Sequence, residues 1–365
     1  MAEKKVYRVA VVGCGGIARQ KHLPALARLD NVEVVWFCDI IRERAEELCA
    51  RYGAAGARVT EDYRDVVNDA TVDVVHVLTP NREHSFITID SLDAGKHVMC
   101  EKPMAKTYAE GKKMVEAARR SGKKLTIGYQ TRHKADSLYL KTMIENGDLG
   151  EIYFARAEAL RRRGVPTWGV FLDAEAQGGG PLIDIGTHAL DLTLWQMNNY
   201  DVDYVVGTSY RRLGDNENSA NIFGPWDPKE FTVEDSAFGF IRMKNGATII
   251  LESAWALNVL DFYEAKCVLA GTKAGADFHD GLRINGERYG RMYEFKPDLE
   301  AGGVAFFEGG GNEKPYEREA RLFYEAIEKD IDPVVLPEQA LVVTRILEAI
   351  YTSAKTGRPV YFDED

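Results

Sequence analysis

This sequence has few of the residues that build staples, membrane spans or nucleic-acid grips. Its five cysteines among 365 residues, Cys14, Cys38, Cys49, Cys100 and Cys267, are odd in number and scattered without a C-x-x-C. Neither a disulfide framework nor a zinc site is suggested, so no metal is expected and a reducing cytoplasm suits the chain best. No apolar run approaches the roughly 20 residues that a membrane-spanning helix needs. The opening MAEKKVYRVAVVGCGG places basic residues before an apolar run, but glycines end that run and no small-residue cleavage site follows, so it reads as a first strand and not a signal peptide. Positive charge is short too: 46 Lys and Arg against 57 Asp and Glu leave a net −11. That charge opposes phosphate backbones, and no basic block offsets it. Neither nucleic acid nor a membrane is an expected partner.

What the chain does have is length and pattern. Single cores stop growing near about 250–300 residues, which predicts two domains. Through residue 129, apolar runs at 7–13, 32–39, 72–80, 96–103 and 124–129 alternate with helical stretches. Strands this uniformly apolar, separated by helices, indicate a parallel sheet covered on both faces. We therefore expect an α/β fold whose residues 1–128 form a doubly wound, Rossmann-type domain. From about Tyr129 the grammar changes to long alternating strands with short turns, including EDSAFGFIRM and ATIILESAWA around the hairpin turn Lys244-Asn245-Gly246. Residues 129–365 are expected to form a second α/β domain with a large, mostly antiparallel sheet, closed by helices near 316–329 and 337–356.

Gly13-Cys14-Gly15-Gly16-Ile17-Ala18 follows the first strand and opens the first helix, the context that makes a G-x-G-x-x-A match meaningful. Such glycines permit a tight turn and close backbone approach, so a pyrophosphate can sit on the helix N-terminus. Asp39 ends the second strand, about 20 residues on, where a carboxylate would bind adenosine ribose hydroxyls and repel a 2′-phosphate. This argues for NAD over NADP, although Arg42 or Arg44 could reach a 2′-phosphate. Thr79-Pro80-Asn81 with His84, and Glu101-Lys102-Pro103, each fall just past the end of a parallel strand, where open α/β sheets bind ligands. In GGGPLIDIGTHALDL (178–192), Asp184 and His188 stand four residues apart on one helix face. By themselves they could be a site or a buried, mutually satisfied pair.

Together these motifs, G-x-G-G-I-A at 13–18, T-P-N-x-x-H at 79–84, A-G-K-H-V-x-C-E-K-P at 94–103 and G-G-G-P-L-I-D-I-G-T-H-A-L-D at 178–191, resemble the glucose-fructose oxidoreductase and inositol dehydrogenase (Gfo/Idh/MocA) family over nearly the whole chain. The resemblance implies a Rossmann domain, a second domain whose open sheet often serves as an oligomer interface (a dimer or tetramer), and an active site between the domains. It also implies that Lys102, Asp184 and His188 are the catalytic group. Oxidising a secondary alcohol requires the hydroxyl proton to leave as the hydride does, so a base titrating near neutrality is needed. His188 is that base in this reading. Lys102 would stabilise negative charge on the reacting oxygen, and Asp184 would hold substrate or orient His188. Glu101 would touch the nicotinamide ribose, with Thr79, Pro80, Asn81 and His84 shaping that side of the cofactor.

For the substrate, polyol pockets pair flat apolar surface with a few polar anchors. Trp168 and Trp226 are candidate stacking platforms, and Gln130, Arg132, Arg162, Asp235 and Asp184 candidate hydroxyl binders. Strand alternation sets Arg161 and Arg163 on one face and Arg162 on the other. The stretches R-R-R-G-V-P-T-W-G-V-F and F-G-P-W-D-P resemble those of the family's glucoside oxidisers, which act at C3. The expected reaction is hydride transfer between NAD and a secondary hydroxyl of a sugar, glycoside or polyol, giving a 3-oxo-glucoside. Three rivals stand beside it: an inositol or aldose dehydrogenase, an NAD-dependent glycosidase with no net redox change, and a non-catalytic NAD-binding sensor.

Overall fold

The computed structural model describes residues 5–299 and 313–362. The chain divides into two compact units, Met1–Gln130 with Glu313–Leu341, and Thr131–Asn312 with Val342–Asp365. Among the described residues no helix is long and apolar enough to cross a membrane.

The first unit is built on six parallel strands, β1 (Tyr7–Val12), β2 (Val32–Cys38), β3 (Arg58–Thr60), β4 (Val74–Val77), β5 (His97–Cys100) and β6 (Leu125–Ile127), in the order β3-β2-β1-β4-β5-β6. The chain steps one way from β1 to β3 and then returns to the other side of β1. The reversal between β1 and β4 is where this topology opens a crevice at the carboxyl ends of the strands. β4 is buried at every residue, as a strand covered on both faces must be. The short edge strand β3 is too brief to stand out as an apolar run.

One segment departs from the expected division at residue 128. The helix Pro315–Lys329 belongs to the first unit, with Phe323 and Tyr324 packed in one core with Tyr7, Val9, Leu26 and Val74. Its buried apolar positions, Ala320, Phe323, Tyr324 and Ala326, recur at helical spacing. That spacing marks an amphipathic helix but says nothing of which sheet it covers.

The second unit holds β7 (Ile152–Leu160), β8 (Val202–Tyr210), β9 (Ser236–Met243), β10 (Thr248–Ala254), β11 (Lys266–Gly271), β12 (Ala274–Asp277), β13 (Arg283–Arg288), β14 (Arg291–Phe295) and β15 (Val360–Tyr361). Their order is β14-β13-β12-β11-β7-β10-β9-β8-β15, antiparallel throughout except where β7 lies parallel to β10. Register separates its faces. Val205, Ile241, Ile249, Ala155 and Leu269 form one buried row across five strands, on the side where the helix Thr187–Met197 packs against β7 and β11. The adjacent row, Val206, Phe240, Ile250, Arg156 and Val268, points the other way, and Val206 and Phe240 remain exposed. The mostly antiparallel sheet is the one the alternation predicts, and its open face is the one the family resemblance implies.

Candidate active site

The glycine turn is shaped by contact with the chain just past β4. Gly13 has φ +96°, and a Cβ there would lie 2.6 Å from the Leu78 carbonyl, so only glycine is accommodated. At Gly15 and Gly16 a Cβ would meet nothing within 4 Å. Open space thus lies in front of the backbone that leads through Ile17 to the first helix. Just past β4, the Thr79 Oγ1 is buried without a hydrogen-bond partner, beside Pro80 and Asn81 at the start of the helix Asn81–Asp93. A bare glycine backbone and an orphaned hydroxyl at the ends of neighbouring strands fit a dinucleotide. The Asp39 carboxylate already accepts N–H groups from Cys14 and Ile41, each at 2.8 Å, so it holds the glycine turn as well. Each oxygen keeps acceptor capacity for a ribose hydroxyl. Arg42 is engaged by Glu46 at 2.8 Å.

His84 is placed differently from the expectation. It is buried, and its two ring nitrogens face the carbonyls of Thr79 (2.9 Å) and Pro103 (2.7 Å). It therefore ties the T-P-N turn to the E-K-P turn and has no ring nitrogen left for a cofactor. The Lys102–Pro103 peptide is cis. Glu101 is buried, with Oε1 facing His22 Nε2 at 2.9 Å and Oε2 accepting the Lys102 N–H at 3.1 Å. Burial alone would push its carboxyl up, but the hydrogen bond and charge of His22, with Lys102 and Lys21, bring it down to about 2. Gln130, expected at the substrate, instead accepts from Lys21 at 2.8 Å and reaches Glu101 at 3.5 Å.

In the second unit, a π-type turn Leu182–Gly186 runs directly into the helix Thr187–Met197. Of residues 179–196, all are buried except Asp184 and His188. Asp184 and His188 are thus the two positions at which this otherwise buried stretch reaches the surface. The glycines before it serve packing: a Cβ on Gly180 would lie 2.3 Å from the Glu234 carbonyl oxygen, and one on Gly179 would strike the Tyr351 hydroxyl. Glu234, which the sequence reading did not single out, accepts N–H groups from Gly180 (2.9 Å) and Leu182 (3.1 Å) and the Tyr351 hydroxyl (2.8 Å). It satisfies the otherwise orphaned donors of this helix start. Asp184 accepts from the Trp255 indole N–H at 3.1 Å.

The substrate candidates separate by burial. Arg161 pairs with Glu264 and Arg163 with Asn258, both at 2.6 Å, whereas Arg162 is exposed. Trp168 is 53% exposed and meets Phe171 and Phe223 edge-on. Three others are turned inward. Arg132 is fully buried in an ion pair with Asp191, with nitrogen to oxygen distances of 2.9 and 2.6 Å. Trp226 is 6% exposed and donates its N–H to the Gly214 carbonyl at 2.9 Å. Asp235 is buried and accepts the N–H groups of Arg212, Leu213 and Gly214. The hydrogen bonds of these three go to protein partners inside the fold.

Both halves of the chain match family models: residues 7–129 the oxidoreductase family with NAD-binding Rossmann fold, and residues 137–277 the GFO/IDH/MocA C-terminal domain. The chain belongs to the Gfo/Idh/MocA family. It is an NAD-dependent oxidoreductase of that family. D-glucoside 3-dehydrogenase of Escherichia coli (strain K12) is 36% identical over 97% of both chains. Inositol 2-dehydrogenase of Salmonella typhimurium is 31% identical over 74% of this chain and 73% of its own. The crystal structure of an oxidoreductase domain protein from Kribbella flavida superposes with a TM-score of 0.85 at 23% identity, covering 99% of this chain and 100% of that one.

Proposed function

We propose that this enzyme oxidises the C3 hydroxyl of a glucoside to a 3-oxo-glucoside. The carrying observation is the similarity to D-glucoside 3-dehydrogenase along 97% of both chains, against 74% for the inositol dehydrogenase. Geometry agrees with a substrate larger than a bare polyol ring. From Trp255, bonded to Asp184, aromatic rings continue through Phe171 (6.4 Å), Trp168 (5.7 Å) and the exposed Phe223 (4.9 Å). Such a wall suits the apolar face of a sugar and a group attached to it.

When bound, NAD supplies the hydride acceptor, and the glycine turn with Asp39, Thr79, Pro80, Asn81 and Glu101 is the surface that would hold it. His188 takes the proton from the reacting hydroxyl as the C–H bond of the carbon that bears it breaks and its hydride leaves. The Lys102 ammonium stabilises the negative charge building on that oxygen. Asp184, steadied by Trp255, orients the sugar or His188, and Arg162 and Trp168 hold its outer part. We further assign a homo-oligomer through the open sheet face, supported by the exposed Val206, Tyr210 and Phe240. A reducing, cytoplasmic setting is supported by five free cysteines, four of them buried.

The test is isotopic. With deuterium at C3 of a glucoside, label appears on the nicotinamide in step with NADH absorbance, and the product is lighter by the two hydrogens removed. Transfer from C1 instead makes the protein an aldose dehydrogenase. Free sugar without accumulating NADH makes it a glycosidase.

A further inference from the structure

Glu101 is the end of a buried string of polar side chains. Beyond the contact with His22, the Nδ1 of His22 lies 3.1 Å from Nδ1 of His76, and His76 Nε2 lies 3.1 Å from the Tyr324 hydroxyl. All four residues are at most 6% exposed. They come from the first helix, β4, the turn after β5 and the helix Pro315–Lys329, so no local motif accounts for the string.

Hydrogen bookkeeping restricts what it can do. An ionised Glu101 only accepts, so His22 Nε2 must carry a hydrogen. With His22 neutral, its Nδ1 is a bare acceptor, His76 donates from Nδ1, and Tyr324 donates to His76 Nε2. Every donor then points toward Glu101, and each bond polarises the next. With His22 protonated, the two distal bonds reverse, but His22 still donates to Glu101. Burial, then the charge of His22, keeps His76 neutral, and burial keeps the Tyr324 hydroxyl protonated. For stability alone, apolar groups of the same shape would serve as well or better.

We propose that His22, backed by His76 and Tyr324, is a positioning residue that aims the Glu101 carboxylate at the bound dinucleotide beside Lys102. The inference rests on the reading that Glu101 contacts the cofactor. Its test therefore uses NADH binding to the full-length protein, followed by fluorescence without any sugar, together with thermal melting. Glu101→Ala checks the underlying reading: wild-type NADH affinity in that variant removes both the reading and the proposal. With Glu101→Ala weakened, His22→Leu is expected to raise the NADH Kd by about tenfold or more, the size of a hydrogen bond to a charged group. His22→Gln can present an amide N–H near the same point and stays within about threefold of wild type. Tyr324→Phe, which removes one oxygen, falls between them. Unchanged NADH affinity in His22→Leu overturns the proposal, as does a His22→Gln loss equal to that of His22→Leu. Should His22→Leu fail to fold, Tyr324→Phe decides: weaker NADH binding at an unchanged melting temperature supports the string, and wild-type binding overturns it.

Discussion

Removing Glu234 should loosen the helix that carries Asp184 and His188 from beneath. Glu234→Ala strands three donors, the N–H groups of the buried Gly180 and Leu182 and the hydroxyl of the partly buried Tyr351. Each orphaned donor costs about 1–3 kcal/mol, and because water can enter the vacated space we expect a net loss of about 3–5 kcal/mol. Glu234→Gln should lose about 1–3 kcal/mol, because its amide oxygen still accepts two of the donors while its NH2 opposes the third. Both variants should lose kcat, while NADH affinity, set by the first unit, stays near wild type. Acid–base linkage adds a second signature. Burial raises the Glu234 carboxyl above its ordinary 4.5, so the folded protein holds this proton to higher pH than the unfolded chain does. The associated stability is full below that ordinary value and is lost as pH rises through the folded one. Glu234→Gln lacks that decline. Urea unfolding across pH, paired with steady-state kinetics, reads all of this. A Glu234→Ala protein within about 1 kcal/mol of wild type, with normal kcat, would refute the argument.

Three further outcomes are expected. His188→Ala should lose kcat by a factor on the order of 10²–10⁴ while still binding NADH, and Lys102→Arg should not restore a Lys102→Ala defect because the planar head cannot occupy the same point; near-normal turnover in His188→Ala defeats the base assignment. NAD should be preferred over NADP by at least about tenfold in kcat/KM, or about 1.4 kcal/mol, and equal values would mean that Arg42 or Arg44 governs the site in place of Asp39. Glu101, lowered from 4.5 to about 2, should contribute stability that is present above the first value and lost as pH falls toward the second; Glu101→Gln should lack this part of the acid limb, and identical acid unfolding in both proteins would contradict it.

Much of the molecule is readable in advance because periodicity reports burial. The apolar runs that become β1, β2, β4 and β5 are long enough to see, and the G-x-G-G-I-A turn carries its own context. The same reading misses β3 and β12–β14, short strands with mixed composition whose pairing depends on neighbours distant in sequence. Among the proposed site residues, His188, Asp184 and Lys102 stand out in the sequence because the motifs around them are dense.

Arg132, Trp226 and Asp235 mark where that legibility stops. Each is a plausible sugar ligand by residue type and loop position, yet each is turned inward, toward Asp191, the Gly214 carbonyl and the 212–214 backbone respectively. A sequence shows which side chains can hydrogen-bond but not which will find a protein partner, since those partners lie up to 59 residues away. His22, His76 and Tyr324 show the converse. Nothing local distinguishes them, and only the packing of the helix Pro315–Lys329 against the first sheet lines them up behind Glu101. Local pattern determined the strands, the cofactor turn and the polar pair on one helix face. Long-range packing decided which polar groups are spent inside the fold and which stay open to a ligand, because satisfying a buried polar group depends on whatever the chain brings beside it.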